Sequence, residues 1–211
     1  GFLAKTSTPE ITDSDMAFHG RASYRDPNWN VYASYMDIQD QFNAEVGFVP
    51  RRGIRTKQVH IEYNPRPERF HIRVMEPMIN ITYTTDQNNR LVTRRVHHMV
   101  GFRLEDGSYV NVYYNSHLEV LDNPFAIRQD VIIPSGTYTF GEWVFQYNTD
   151  PSRWLYTKLR YSPQTFFDGF RKDTDVTLGI RATSRLSAEL RFRRNDGKLP
   201  WGDFKVNLGT L

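Results

Sequence analysis

Along most of the chain, hydrophobic and polar residues alternate with a period of two. Between residues 69 and 74, Phe70, Ile72 and Val74 alternate strictly with Arg69, His71 and Arg73. Successive side chains of a strand project to opposite faces, so such a segment has one apolar face and one cationic face. The pattern predicts strands over 1–8, 16–25, 28–38, 54–65, 69–83, 91–105, 109–121, 137–149, 153–163, 173–184, 185–195 and 203–211. Helical periodicity is almost missing, with "YMDIQDQFNAEV" (35–46) the one stretch suited to a brief coil. The fold class expected is all-β, with about twelve strands.

The connections point to a topology. "RDPN" (25–28), "NPRPER" (64–69), "EDGS" (105–108), "NTDPSR" (148–153) and "TSR" (183–185) are compact and rich in turn formers. Between them lie longer links at 37–53, 84–91, about 122–136, 164–172 and 196–202. Short and long links in alternation predict an antiparallel up-and-down meander, turns at one rim and loops at the other, as in outer-membrane barrels. Strand length agrees: about ten residues at roughly 3.3 Å each, tilted near 40°, cover about 25 Å, the height of a lipid-facing band.

The apolar parity runs through Phe18 and Tyr24, Trp29 and Val31, Val96 and Val100, Val110 and Val112, Trp143 and Phe145, Leu155 and Leu159, Leu178 and Ile180, Leu190 and Phe192, and Phe204, Val206 and Leu208. Aromatics gather beside the tight turns, as Tyr24 with Trp29, Tyr63 with Phe70, Phe102 with Tyr109, and Tyr147 with Trp154; rings at one level suit a membrane interface. The opposite parity carries ten bases, Arg21, Arg73, Arg95, Arg103, Lys158, Arg160, Arg181, Arg191, Arg193 and Lys205, against Glu62, Glu119, Glu142 and Glu189. A transmembrane barrel turns the apolar parity to lipid and this charged parity to a lumen, which would then favour anions. Two features break the pattern. Arg94 and His98 share the apolar parity of Val96, and "EPM" (76–78) interrupts alternation, which predicts a bulge or kink at Pro77.

Composition narrows the chemistry. The chain has 211 residues, a net charge of +3 and no cysteine, so disulfides, thiolate metal sites and cysteine nucleophiles are excluded. No apolar run is long enough for a membrane helix, which says nothing against strands that cross a bilayer. Of the six histidines, His97 and His98 are adjacent on a strand and cannot chelate together, while His60, His71 and His97 could share the lumen. Neither a metal nor a cofactor is expected. "DSD" (13–15), "DQNN" (86–89) and "RNDG" (194–197) lack the full spacing of a calcium loop. No phosphate loop, nucleophile elbow or zinc-protease motif occurs. Glu62, Glu142 and Glu189 lie on separate strands, a spacing that does not establish a glycosidase pair. Segregation of aromatics from bases argues against nucleic-acid stacking.

The link 37–53 is the expected functional loop, for it combines Phe42 and Phe48 with Arg51 and Arg52. Its sequence, "DIQDQFNAEVGFVPRRGIRT" (37–56), together with "MAFHGRASYRDPNWNVYASY" (16–35), "EPMINITYTTDQNNRLVTRR" (76–95), "YSPQTFFDGFR" (161–171) and "RNDGKLPWGDF" (194–204), resembles the outer-membrane β-barrel domain, of unassigned function, of bacterial proteins that carry an N-terminal carbohydrate-binding family 9-like domain. The resemblance covers essentially the whole chain, and its most specific motif runs from Phe42 to Arg51. It implies that residues 1–211 are one partial barrel domain, with an N-terminal domain and further strands outside it. The first residues, which lack Met and already alternate, agree with a fragment. The expected role is a channel, transporter or anchoring platform of the Gram-negative outer membrane, with lipid as partner and envelope proteins or glycans as further partners. Some members are labelled hydrolases, but no catalytic residues are found here. The competing reading is a soluble, secreted all-β glycan-binding module.

Overall fold

The structure is a computed structural model that describes residues 1–6, 16–43, 49, 51–67, 69–183 and 185–211. Its strands are β1 (Phe2–Lys5), β2 (Met16–Arg25), β3 (Trp29–Ile38), β4 (Ile54–Tyr63), β5 (Ile72–Asp86), β6 (Leu91–Leu104), β7 (Tyr109–Leu121), β8 (Phe125–Arg128), β9 (Val131–Ile133), β10 (Gly136–Asn148), β11 (Leu155–Phe166), β12 (Gly169–Arg181), β13 (Ser187–Leu199) and β14 (Gly202–Thr210). Twelve of them form one antiparallel sheet in sequence order, interrupted only by the separate β8–β9 hairpin between β7 and β10. This is the up-and-down meander that the alternating pattern predicts. Among the described residues β1 and β14 are open edges, and no helix is long and apolar enough to cross a membrane.

Aspartates build the turns at one rim. Asp26 accepts the backbone N–H groups of Asn28 and Trp29, both at 2.7 Å, Asp106 that of Ser108 at 2.9 Å, and Asp150 that of Ser152 at 2.8 Å. A short acceptor that satisfies the N–H two residues on is what lets the chain reverse there. At the opposite rim the links differ from expectation. Phe167 and Asp168 form a two-residue turn with φ of 41° and 59°, so the supposed long link 164–172 is a tight hairpin that lengthens β11 and β12. Likewise β13 and β14 extend to Leu199 and Gly202 across the supposed link 196–202.

Other expectations change with the register. Pro77 sits opposite Val100 in unbroken pairing, and the register shifts fall instead between Ile72 and Val74 and between Thr84 and Thr85. Arg73 is therefore the extra residue of a bulge. Phe70 and His71, with φ of 61° and 57°, belong to the preceding turn and not to a strand. In β14, Phe204 lies opposite Gly197 and Leu208 opposite Arg193, which puts the apolar residues of this strand on the polar face. Lys205 lies opposite Asp196 on the other face, so it is not among the bases of the polar face. Tyr109, opposite Arg103, also belongs to the polar face.

The sheet has the polarity of a protein turned inside out. Trp143, Phe145, Leu178, Ile180, Leu190 and Phe192 stand exposed, Leu190 at 53%. Across the sheet from them, Asn115 is exposed by only 2%, Ser162 by 0% and Thr177 by 4%. Two small apolar clusters lie at the rim of the long links. In one, Val131 and Ile133 of the β8–β9 hairpin pack on Tyr138, Phe167, Leu199 and Phe204; in the other, Phe42 packs on Ala17 and Ile38.

Candidate functional site

Among the described residues the buried polar face is the one extended constellation of chemistry-bearing side chains. Cross-strand neighbours on one face of an antiparallel pair stand close enough to interact, and here the register aligns Tyr32, His60, Asn80, His97, Asn115 and Glu142 from β3 to β10. The Arg21 guanidinium lies 3.7 Å from the centre of the Tyr32 ring, which stacks on His60 at 4.7 Å. Asn80 donates to the Tyr32 hydroxyl at 3.3 Å, and His60 meets Glu62 at 3.2 Å.

The centre of the row is tighter. Asn115 donates from its amide to Glu142 at 2.8 Å. Its Oδ1 accepts from Arg95 at 3.2 Å and contacts Nδ1 of His97 at 2.6 Å. An acceptor there requires the His97 proton on Nδ1. The second Glu142 oxygen accepts from the Ser162 hydroxyl at 2.6 Å and from Arg160 at 3.4 Å. Further along, Asp175 accepts from Arg191 at 3.0 Å and from Arg193 at 2.9 Å, and Lys158 lies 3.7 Å from Glu189. A cavity of about 310 Å³ between these last groups is lined by Tyr113, Lys158, Arg160, Asp175, Glu189 and Arg191.

Arg21, Arg95, Arg103, Lys158, Arg160, Arg181, Arg191 and Arg193 thus share the polar face, as alternation predicts. Arg73 in its bulge and Lys205 do not join them. Three acids were missed. Glu76, bonded to Arg103 at 2.6 Å, lies in the "EPM" stretch where the alternation breaks and so receives no face from periodicity. Asp173 and Asp175 stand opposite Asn195 and Arg193, and their place four and two residues before Thr177 is a readable signal. These carboxylates reduce the cationic bias of the face. Most of its bases are paired.

His60 and His97 flank Asn80, but His71 lies in an exposed turn 3.1 Å from Glu105. Among the described residues no three acidic or histidine side chains group to hold a metal ion. His97 and His98 do face opposite ways, His98 lying between Ile79 and Tyr114 on the apolar face. Glu142 and Glu189 serve as acceptors for different partners, Ser162 with Asn115 and Tyr156.

No family model matches this chain. The search of curated proteins and the search of solved structures return no match either.

In the 37–53 link, Phe42 is buried and caps its own end of the sheet, Arg52 donates to Asn43 at 3.1 Å, and Phe48 lies outside the described residues. Arg51 is exposed, and its charge helps lower the pKa of the Asp122 carboxyl, chiefly held down by its hydrogen bonds from Arg90. Asp122 begins the link after β7, so the links after β3 and β7 converge at this rim. The β8–β9 hairpin packs beside the polar face there, on Tyr138 and Leu199.

Proposed function

We propose that this chain is the wall of a transmembrane β-barrel of the Gram-negative outer membrane, acting as a channel, transporter or anchoring platform. The observation behind the reading is the inverted polarity. Large apolar side chains stand outward in rows while hydrogen-bonded Asn, Ser, Thr and charged groups are buried on the other face. In water such an apolar expanse would demand a covering partner; lipid is the covering that up-and-down strands of this length accept.

The outward rows also have the right height. From the turn rim, Leu155, Thr157, Leu159 and Tyr161 are followed by Pro163, and Leu186, Ala188, Leu190 and Phe192 by Arg194. Trp29, Val31, Ala33 and Tyr35 are followed by Asp37. Four outward residues span roughly 20 Å along the strand, or about 15 Å of height at the usual tilt, which with their side chains covers most of a barrel's apolar band. Aromatics mark both limits: Trp29 with Tyr63 at a centroid distance of 4.6 Å at one, Tyr114 with Trp143 at 4.9 Å at the other.

The polar face then lines an aqueous interior whose paired charges give only a weak preference for anions. Incorporation into a planar bilayer under a salt gradient tests the channel reading. A conductance whose reversal potential shows slight anion selectivity supports it; no conductance from inserted protein leaves an anchoring platform. Stable, monodisperse protein without detergent or lipid would refute the membrane reading.

A further inference from the structure

Just beyond the second aromatic level, the apolar face of β12–β14 turns basic. Lys172 lies opposite Asp196, Lys198 opposite Phe170, and Lys205 opposite Asp196. Two acids share this face, Asp196, which accepts from Arg194 at 2.8 Å, and Asp203, which lies opposite Lys198; Lys172, Arg194, Lys198 and Lys205 outnumber them. Among the described residues, neither Lys172 nor Lys198 has an ion-pair partner.

The same face holds an open groove of about 720 Å³, whose lining includes Tyr114, Trp143, Phe170, Lys172, Lys198 and the carboxylate of Asp196 already bonded to Arg194. Its floor is aromatic because Gly141 leaves room for the Tyr114 ring; a Cβ there would collide with the phenol. Phe170 stands 66% exposed at the edge. The groove therefore runs from the Trp143 and Tyr114 rings at the apolar side to Lys172, Lys198 and the Phe170 ring at the water side.

We propose that this groove seats one phosphate-bearing anionic lipid, its acyl chain along Trp143 and Tyr114 and its phosphate between Lys172 and Lys198. The proposal rests on the membrane reading. Charge complementarity selects the occupant: ammonium groups at headgroup depth attract anionic lipid, while the aromatic floor has nothing to offer a free anion. A zwitterionic lipid could fill the apolar part but would gain little from the two lysines.

Native mass spectrometry of the detergent-solubilised chain, titrated with phosphatidylglycerol or phosphatidylcholine, tests the assignment. The first should bind roughly thirtyfold tighter, the effect expected of two lysines near an anionic headgroup. The Lys172→Gln/Lys198→Gln variant should retain both lipids with equal affinity. Equal binding by the unaltered protein would overturn the seat while leaving the membrane reading intact. Inorganic phosphate that displaces the anionic lipid completely would mark a free-anion site and also overturn it. A chain that retains neither lipid and needs no detergent would remove the membrane reading, and the seat with it.

Discussion

The carboxylate of Glu142 and the amide of Asn115 meet across β10 and β7 at 2.8 Å. Both side chains are on the buried polar face, and Ser162, Arg160, Arg95 and His97 complete the network around them. Replacing Glu142 with Ala leaves the Asn115 amide and the Ser162 hydroxyl, both on nearly inaccessible residues, without an acceptor. That should cost about 1–3 kcal/mol of stability. Glu142→Gln keeps one acceptor and should lose less. Urea unfolding of the two variants in matched detergent or lipid checks the order.

Arg in place of Leu178 or Leu190, which face each other outward across β12 and β13, should destabilise the protein by about 2–4 kcal/mol if they lie near the bilayer midplane. Asn195→Arg, on the polar face opposite Asp173, should cost much less. Unfolding in lipid vesicles measures the difference; equal costs would contradict the assignment of faces.

The strands were legible where alternation was long and unbroken. β2 and β7 have the bounds that periodicity gives, Met16–Arg25 and Tyr109–Leu121. What escaped was turn chemistry without its usual residues. Phe167, Asp168, Phe70 and His71 adopt positive φ without being glycine, so alternation ran on through a turn at 70–71 and a tight turn at 167–168 looked like a loop. Register caused the other errors. A shift of one residue exchanges the two faces of a strand, and the bulge at Arg73 and the short β13–β14 connection decide where Glu76 and Lys205 point. The polar network itself was legible only as a list of side chains, because cross-strand partners depend on that register.

Phe42, 7% exposed, packs against Ala17 and Ile38 at the loop rim. Phe42→Ala should therefore destabilise the sheet end by about 3 kcal/mol or somewhat more, as core Phe truncations do. Thermal unfolding and proteolysis of the 39–53 link would register it. A variant as stable as the parent, but altered in conductance, would favour a functional loop over a structural cap.

Arg90 bonds Asp122 through two hydrogen bonds, of 2.8 and 3.0 Å, and ties the β5–β6 turn to the link after β7. These bonds hold the pKa of Asp122 below the ordinary carboxylate value. The contribution is fully present above that ordinary value and is lost as pH falls through the depressed one. Hydrogen exchange in the segments around 90 and 122 should accelerate in acid, and Arg90→Ala should remove this acid dependence. Acceleration of the same size in the variant would count against the clamp.

The absence of cysteine makes the central claim directly measurable. Single cysteines at consecutive positions from Thr177 to Ile180 and from Ala188 to Arg191 can carry spin labels in protein reconstituted into vesicles. Collision with oxygen, which dissolves in lipid, should peak at Leu178, Ile180, Ala188 and Leu190. Collision with a water-soluble nickel chelate should peak at Thr177, Gly179, Glu189 and Arg191. Two profiles with period two and opposite phase are the predicted result; water access at both sets, or oxygen maxima on the charged set, would contradict a lipid-facing apolar side.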